Sequence, residues 1–148
     1  MNRKILPPSY FFALLVASLV AHFVFPHNEV IKSPLKYGGV LLIIFGIVLN
    51  IWADNLFKKS KTTVKPHEKP SHLITTGPFK ISRHPMYIGM ITILLGTSVL
   101  LGSLVTVIFP IIFLILMEIL FIPMEEQNLG QVFGKLYFDY KKRVRRWI

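Results

Sequence analysis

Four apolar runs constrain this chain more than any other feature. They cover about residues 9–25, 35–57, 85–101 and 103–122. A bilayer core of about 30 Å takes roughly 20 helical residues to cross. No water reaches backbone groups there, so each spanning run must be a helix. The expected architecture is all-α, with four transmembrane helices in a single domain over residues 1–148. Hydrophobic residues fill 53% of the positions and charged ones only 16%, which sets aside an ordinary soluble domain. Cysteine is absent, which excludes disulfides, thiolate nucleophiles and cysteine metal sites.

Asn2-Arg3-Lys4 ahead of the first run has the look of a secretory signal. That run ends in His22-Phe23-Val24-Phe25-Pro26, without a small-residue cleavage pattern, so it reads as a retained span. With the N-terminus inside, 15 of the 17 lysines and arginines fall on the inner side. Only Lys32 and Lys36 fall outside. The positive-inside rule then predicts both termini in the cytoplasm and a multi-pass protein of the cell inner membrane. This distribution accounts for the net charge of +10 without nucleic acid. A basic tail also suits anionic headgroups.

Gly102-Ser103 predicts a tight hairpin between the third and fourth runs. Gly89 and Gly96 share one helix face, where close helix packing competes with a pocket-lining role for Gly89. Beyond Pro123, apolar residues from Leu129 to Val144 recur at helical spacing. They predict a cytoplasmic amphipathic helix over about 124–144. The 58–84 loop, punctuated by Pro66, Pro70, Gly77 and Pro78, is long enough to be functional.

Two places carry chemistry. In Arg83-His84-Pro85-x-Tyr87-x-Gly89, Pro85 suits a first helical turn, where free N–H groups and the helix dipole favour an anion. Arg83 can grip a carboxylate or phosphate with two hydrogen bonds. The competing reading makes Arg83, His84 and Tyr87 interface anchors. The second place is Glu118 with Glu125 and Glu126. Glu118 lies within an apolar run, where an ionisable residue is a functional candidate by default. It is otherwise a buried partner of Asn50, Asn55 or Arg83. Glu118 and Glu125 share a face if the helix continues through Pro123. The polar cluster Asn50, Asp54 and Asn55 reads as interhelical glue. The five histidines show no metal-ligand spacing.

At these residues the chain resembles the isoprenylcysteine carboxyl methyltransferase and phospholipid methyltransferase superfamily, in its small prokaryotic branch. The resemblance runs from about Trp52 onward. It rests on Leu73-Ile74-Thr75-Thr76-Gly77-Pro78-Phe79, on Arg83 to Gly89, on Glu125-Glu126-x-x-Leu129, and on Phe133-Gly134-x-x-Tyr137-x-x-Tyr140 with Val144-x-Arg146-Trp147-Ile148.

The resemblance implies S-adenosylmethionine as methyl donor, held on the cytoplasmic side by His84, Pro85, Tyr87, Gly89, Glu125 and Glu126. Arg83 and Glu118 are the candidate catalytic residues. The transfer would be an in-line displacement, which needs alignment more than a covalent intermediate. A carboxylate acceptor needs no base; for an amine or thiol, Glu118 or His84 could take the proton. The acceptor would be a hydrophobic or amphiphilic lipid-like molecule arriving from the membrane. The motifs name neither that acceptor nor an oligomeric state. Two alternatives stand beside this reading: an NADPH-dependent membrane reductase of the sterol or steroid type, with a similar arginine–histidine stretch, and a non-catalytic membrane module.

Overall fold

The computed structural model describes residues 6–25, 30–63, 65 and 68–148. Arg3, Lys4, Pro26, His27, Pro66 and His67, which enter the sequence reading, lie outside them. Regular structure among the described residues is helical throughout. Helix α1 spans Pro7–Val24, α2 Gly38–Lys59, α3 Pro85–Leu101, α4 Ile108–Leu116, α5 Ile122–Phe133 and α6 Lys135–Arg143.

Three helical stretches are long and apolar enough to cross a membrane: Pro7–Val24, Leu35–Lys59 and the 30-residue Leu104–Phe133. Helix α3 is apolar but shorter, at 17 residues. Large apolar side chains stay exposed along α1, α2 and α4, among them Phe12, Val16, Leu41, Phe45, Ile111 and Ile115. Water would not tolerate that much apolar surface, whereas hydrocarbon does. The chain is a multi-pass membrane protein.

Glycine sets the tightest interface. Helices α2 and α3 run antiparallel, with Gly39 against Gly96 and Gly46 against Gly89. A methyl group added at Gly46 would lie 2.5 Å from the Gly89 carbonyl oxygen. Both glycine pairs are seven residues apart, about two helical turns, so one stripe of each helix lets the backbones meet. Gly89 therefore faces α2 and the Asn50 side chain, and packing is the role its surroundings give it. Of the expected polar cluster, Asn50 donates to Gly46 O at 3.0 Å inside this interface. Asp54 instead pairs with Lys58 on its own helix, and Asn55 is exposed. Phe11, Tyr87, Leu94, Phe113 and Met117 form the core where α1, α3 and α4 converge.

The expected single helix over 124–144 is not what forms. The fourth apolar run continues from α4 through a π-turn at Met117–Phe121 directly into α5. Proline lacks an N–H and crowds the carbonyl four residues back, and the wider turn just before Pro123 relieves both. The helix ends at Gly134, whose φ of +50° and ψ of −123° suit glycine alone. There the chain turns, and α6 folds back toward the start of α3.

Candidate functional site

The site is built where α3 begins. Pro78 and Phe79 sit in a buried 3₁₀ turn, Gly77–Lys80, that delivers residues 82–84 to the bundle end. Ser82 Oγ accepts the His84 N–H at 3.1 Å, and Pro85 opens the helix. The first turn of α3 then points His84 and Tyr87 the same way. Their rings stack with centroids 5.7 Å apart and planes 9° from parallel.

Helix α5 supplies the carboxylates. The Tyr87 hydroxyl donates to Glu125 Oε1, and His84 Nδ1 lies 3.2 Å from Glu125 Oε2. Glu125 is thus held from both sides by α3. Glu126, one residue on, turns into a nest of cations. Arg83 Nη2 lies 3.0 Å from its Oε1, Arg146 Nε donates to Oε1 and Nη2 to Oε2 at 3.0 Å, and Lys141 Nζ donates to Oε2 at 2.9 Å. Arg83 also donates to the Tyr137 hydroxyl at 3.3 Å, and Tyr140 donates to Phe79 O at 2.7 Å.

Burial alone would lower the basicity of His84. The Glu125 and Glu126 carboxylates outweigh it and raise the imidazole above its ordinary value of 6.5.

Arg83, His84, Pro85, Tyr87 and Glu125 line one mostly apolar cavity of about 250 Å³. Phe57, Phe79, Met86, Met90 and Leu129 complete its apolar wall, and the 58–84 loop contributes Glu68 and His72. Two buried nitrogens lack a hydrogen-bond partner, Arg83 Nε and His84 Nε2, the latter facing Glu126 Oε1 at 3.6 Å. Apolar walls with a few convergent polar groups are the usual form of a small-molecule site.

Three sequence candidates fall elsewhere. Gly89 packs against α2, as described. Glu126 faces away from the cavity, into the cation nest. Glu118 is not beside Arg83, Asn50 or Asn55. It accepts from Arg146 Nη1 and from Trp147 Nε1, the latter at 3.1 Å. The expected Glu118–Glu125 face is also shifted by one residue, because the π-turn inserts an extra position. Two α-turns take about seven residues, and the insertion makes the aligned pair Glu118 and Glu126. Arg146 touches both.

The sequence reading missed the roles of Ser82, Lys141, Arg146 and Trp147. Only the tail motif hinted at the last two.

A family model described as phospholipid methyltransferase matches residues 35–136, which include the site from Thr75 to Glu126. Protein-S-isoprenylcysteine O-methyltransferase B of Arabidopsis thaliana is 33% identical over 111 residues, 72% of this chain and 55% of its own. Protein-S-isoprenylcysteine O-methyltransferase of Saccharomyces cerevisiae is 30% identical over 153 aligned positions, 97% of this chain and 62% of its own. The solved structure of the eukaryotic intramembrane Ras methyltransferase, isoprenylcysteine carboxyl methyltransferase, superposes with a TM-score of 0.70 at 26% identity. It covers all of this chain and 53% of the other. The chain spans a little over half the length of the curated relatives it matches. With the matched region covering well over half of this chain and enclosing the cavity's signature residues, the chain belongs to the phospholipid methyltransferase family.

Proposed function

We propose that this protein is an integral membrane methyltransferase that uses S-adenosylmethionine to methylate a hydrophobic or amphiphilic acceptor. One observation carries the reading: Tyr87, His84 and Glu125 converge at the mouth of an apolar cavity at one end of a membrane bundle. The family match and the names of the relatives support the reaction class.

The residues present fit the cofactor. Glu125 suits an ammonium or a ribose diol, Arg83 Nε, which lacks a hydrogen-bond partner, suits a polar group of the donor, and the Tyr87–His84 stack offers an aromatic face. When bound, S-adenosylmethionine supplies an electrophilic methyl group beside a sulfonium. The protein's task is then to align and to exclude water. The apolar wall of Phe57, Met86, Met90 and Leu129 does the second. Aromatic faces attract a cation, so Tyr87 favours the sulfonium. Glu126 keeps Arg83 in place and is not itself a ligand.

In the membrane, four spans are the reading. Helix α3 rises only about 26 Å at 1.5 Å per residue, slightly less than the ~30 Å core, so its start must sit at the interface. The lysine and arginine bias supports an orientation with the cavity mouth at the cytoplasmic surface of the inner membrane and both termini on the same side. An acceptor of the isoprenylcysteine kind, which the relatives' names specify, would meet the cavity from the lipid.

Calorimetric titration of the detergent-purified protein tests this. S-adenosylhomocysteine should bind and NADPH should not. Binding of NADPH alone, or no binding of S-adenosylhomocysteine at millimolar concentration, would overturn the reading.

A further inference from the structure

Glu118 is an ionisable side chain within an apolar helix, and its partners come from the segment 144–148. Arg146 directs three donors at two carboxylates. Its Nη1 goes to Glu118, while Nε and Nη2 form a fork on Glu126, each at 3.0 Å. Trp147 Nε1 adds a second donor to Glu118, and its ring packs on the α1–α3–α4 core. The backbone of the same segment is anchored to the other wall of the site. The Arg83 N–H donates to Arg145 O at 3.1 Å, and Ser82 Oγ donates to Arg146 O at 3.0 Å. The segment therefore ties residues 82–83 to the helix that carries both glutamates.

We propose that Arg146 is a positioning residue, whose guanidinium joins Glu118 to Glu126 across the π-turn and thereby fixes Arg83 and His84 at the cavity mouth. The geometry stands by itself; only its consequence for ligand binding rests on the methyltransferase reading. Arg146 does not line the cavity, so it acts through Glu126, which it shares with Arg83. A guanidinium fork fixes the carboxylate plane, which a single ammonium cannot do. Lys141 therefore cannot replace it. The charges also balance on it. Glu118 and Glu126 face the cationic side chains of Arg83, Lys141 and Arg146, while Glu125 pairs with His84, the group left to adjust. Without Arg146, Glu118 loses its ion-pair partner and Glu126 keeps only Arg83, Lys141 and His84.

The test compares Arg146→Gln and Arg146→Lys with the parent protein in detergent. The first readout needs no ligand: the titration midpoint of the His84 imidazole by NMR, assigned by its disappearance in His84→Gln. His84 faces Glu125 and Glu126 from α5 and Tyr87 from α3. Through Glu126 it also senses Arg83, Lys141 and Arg146. Removing a cation from this set moves the midpoint upward in Arg146→Gln, while Arg146→Lys keeps the parent midpoint. The second readout is S-adenosylhomocysteine affinity, expected to fall roughly ten-fold in both variants, as for loss of a charge-assisted bond. An unmoved midpoint in Arg146→Gln, or parent-like affinity in either variant, overturns the proposal. If Arg146→Gln does not fold, Arg146→Lys decides: parent affinity rejects the positioning role, and weakened affinity at parent thermal stability upholds it. A parent protein that binds no S-adenosylhomocysteine removes the methyltransferase reading, and the His84 midpoint still decides this one.

Discussion

Arg83 and Glu126 face each other at 3.0 Å with side chains only 8% and 7% exposed. This pair ties the residue before the α3 N-cap to α5, so it shapes the site without being free to grip a ligand through that edge. Removing one partner of a buried pair leaves an uncompensated charge, at a cost of about 3–5 kcal/mol. Glu126 keeps Arg146 and Lys141, so Arg83→Met should cost about 3 kcal/mol, the low end of that range. Thermal unfolding in detergent measures it; an unchanged midpoint would show that the pair is not structural.

The adjacent glutamates should separate cleanly. Glu125 lines the cavity and is held by Tyr87 and His84, whereas Glu126 is buried among cations. Glu125→Gln should weaken S-adenosylhomocysteine binding about ten-fold with little loss of stability, the size of one charge-assisted bond. Glu126→Gln should lower the unfolding temperature first. Titration and thermal melts on both variants read the split, and the reverse pattern would exchange their roles.

Much of this was legible because membranes leave the backbone few options. The apolar runs, the α3 start at Pro85 and the hairpin at Gly102-Ser103 all follow from composition and local chemistry. The Tyr87–Glu125 contact joins two motifs that stand far apart in sequence, and the family resemblance placed them together. What stayed hidden depended on register. A π-turn leaves no hydrophobic-periodicity signal, so the shift from Glu125 to Glu126 as the mate of Glu118 could not be read. The break at Gly134 lay inside a convincing amphipathic pattern, and only the glycine marked it. Gly39 and Gly46 carried a signal that went unused, the same seven-residue spacing as Gly89 and Gly96.

Neighbouring glycines should respond oppositely to one substitution. A methyl group at Gly39 would collide with the Gly96 carbonyl and lie 2.6 Å from Leu100 N, while at Gly38 nothing lies within 4 Å. Gly39→Ala should force α2 and α3 apart and cost about 1–3 kcal/mol, as overpacking does. Gly38→Ala should be neutral or raise stability by up to about 1 kcal/mol, since alanine suits helices better. Thermal melts of the two variants side by side check this, and equal behaviour would argue against the glycine interface.

The His84 imidazole gives the site a pH dependence with a definite sign. Burial opposes its protonation, but Glu125 at 3.2 Å and Glu126 at 3.6 Å favour it more, so the folded state holds the proton above the ordinary value of 6.5. A raised folded-state value means that the folded protein binds the proton more tightly than the unfolded chain. The resulting stabilisation is complete below 6.5, the unfolded value, and is lost as pH rises through the folded value. Unfolding temperature should therefore fall as pH is raised from 6.5 upward. His84→Gln, which cannot titrate, should flatten that slope. Melting curves across this range in parent and variant decide it. A parent slope that survives in His84→Gln would assign the titration to another group.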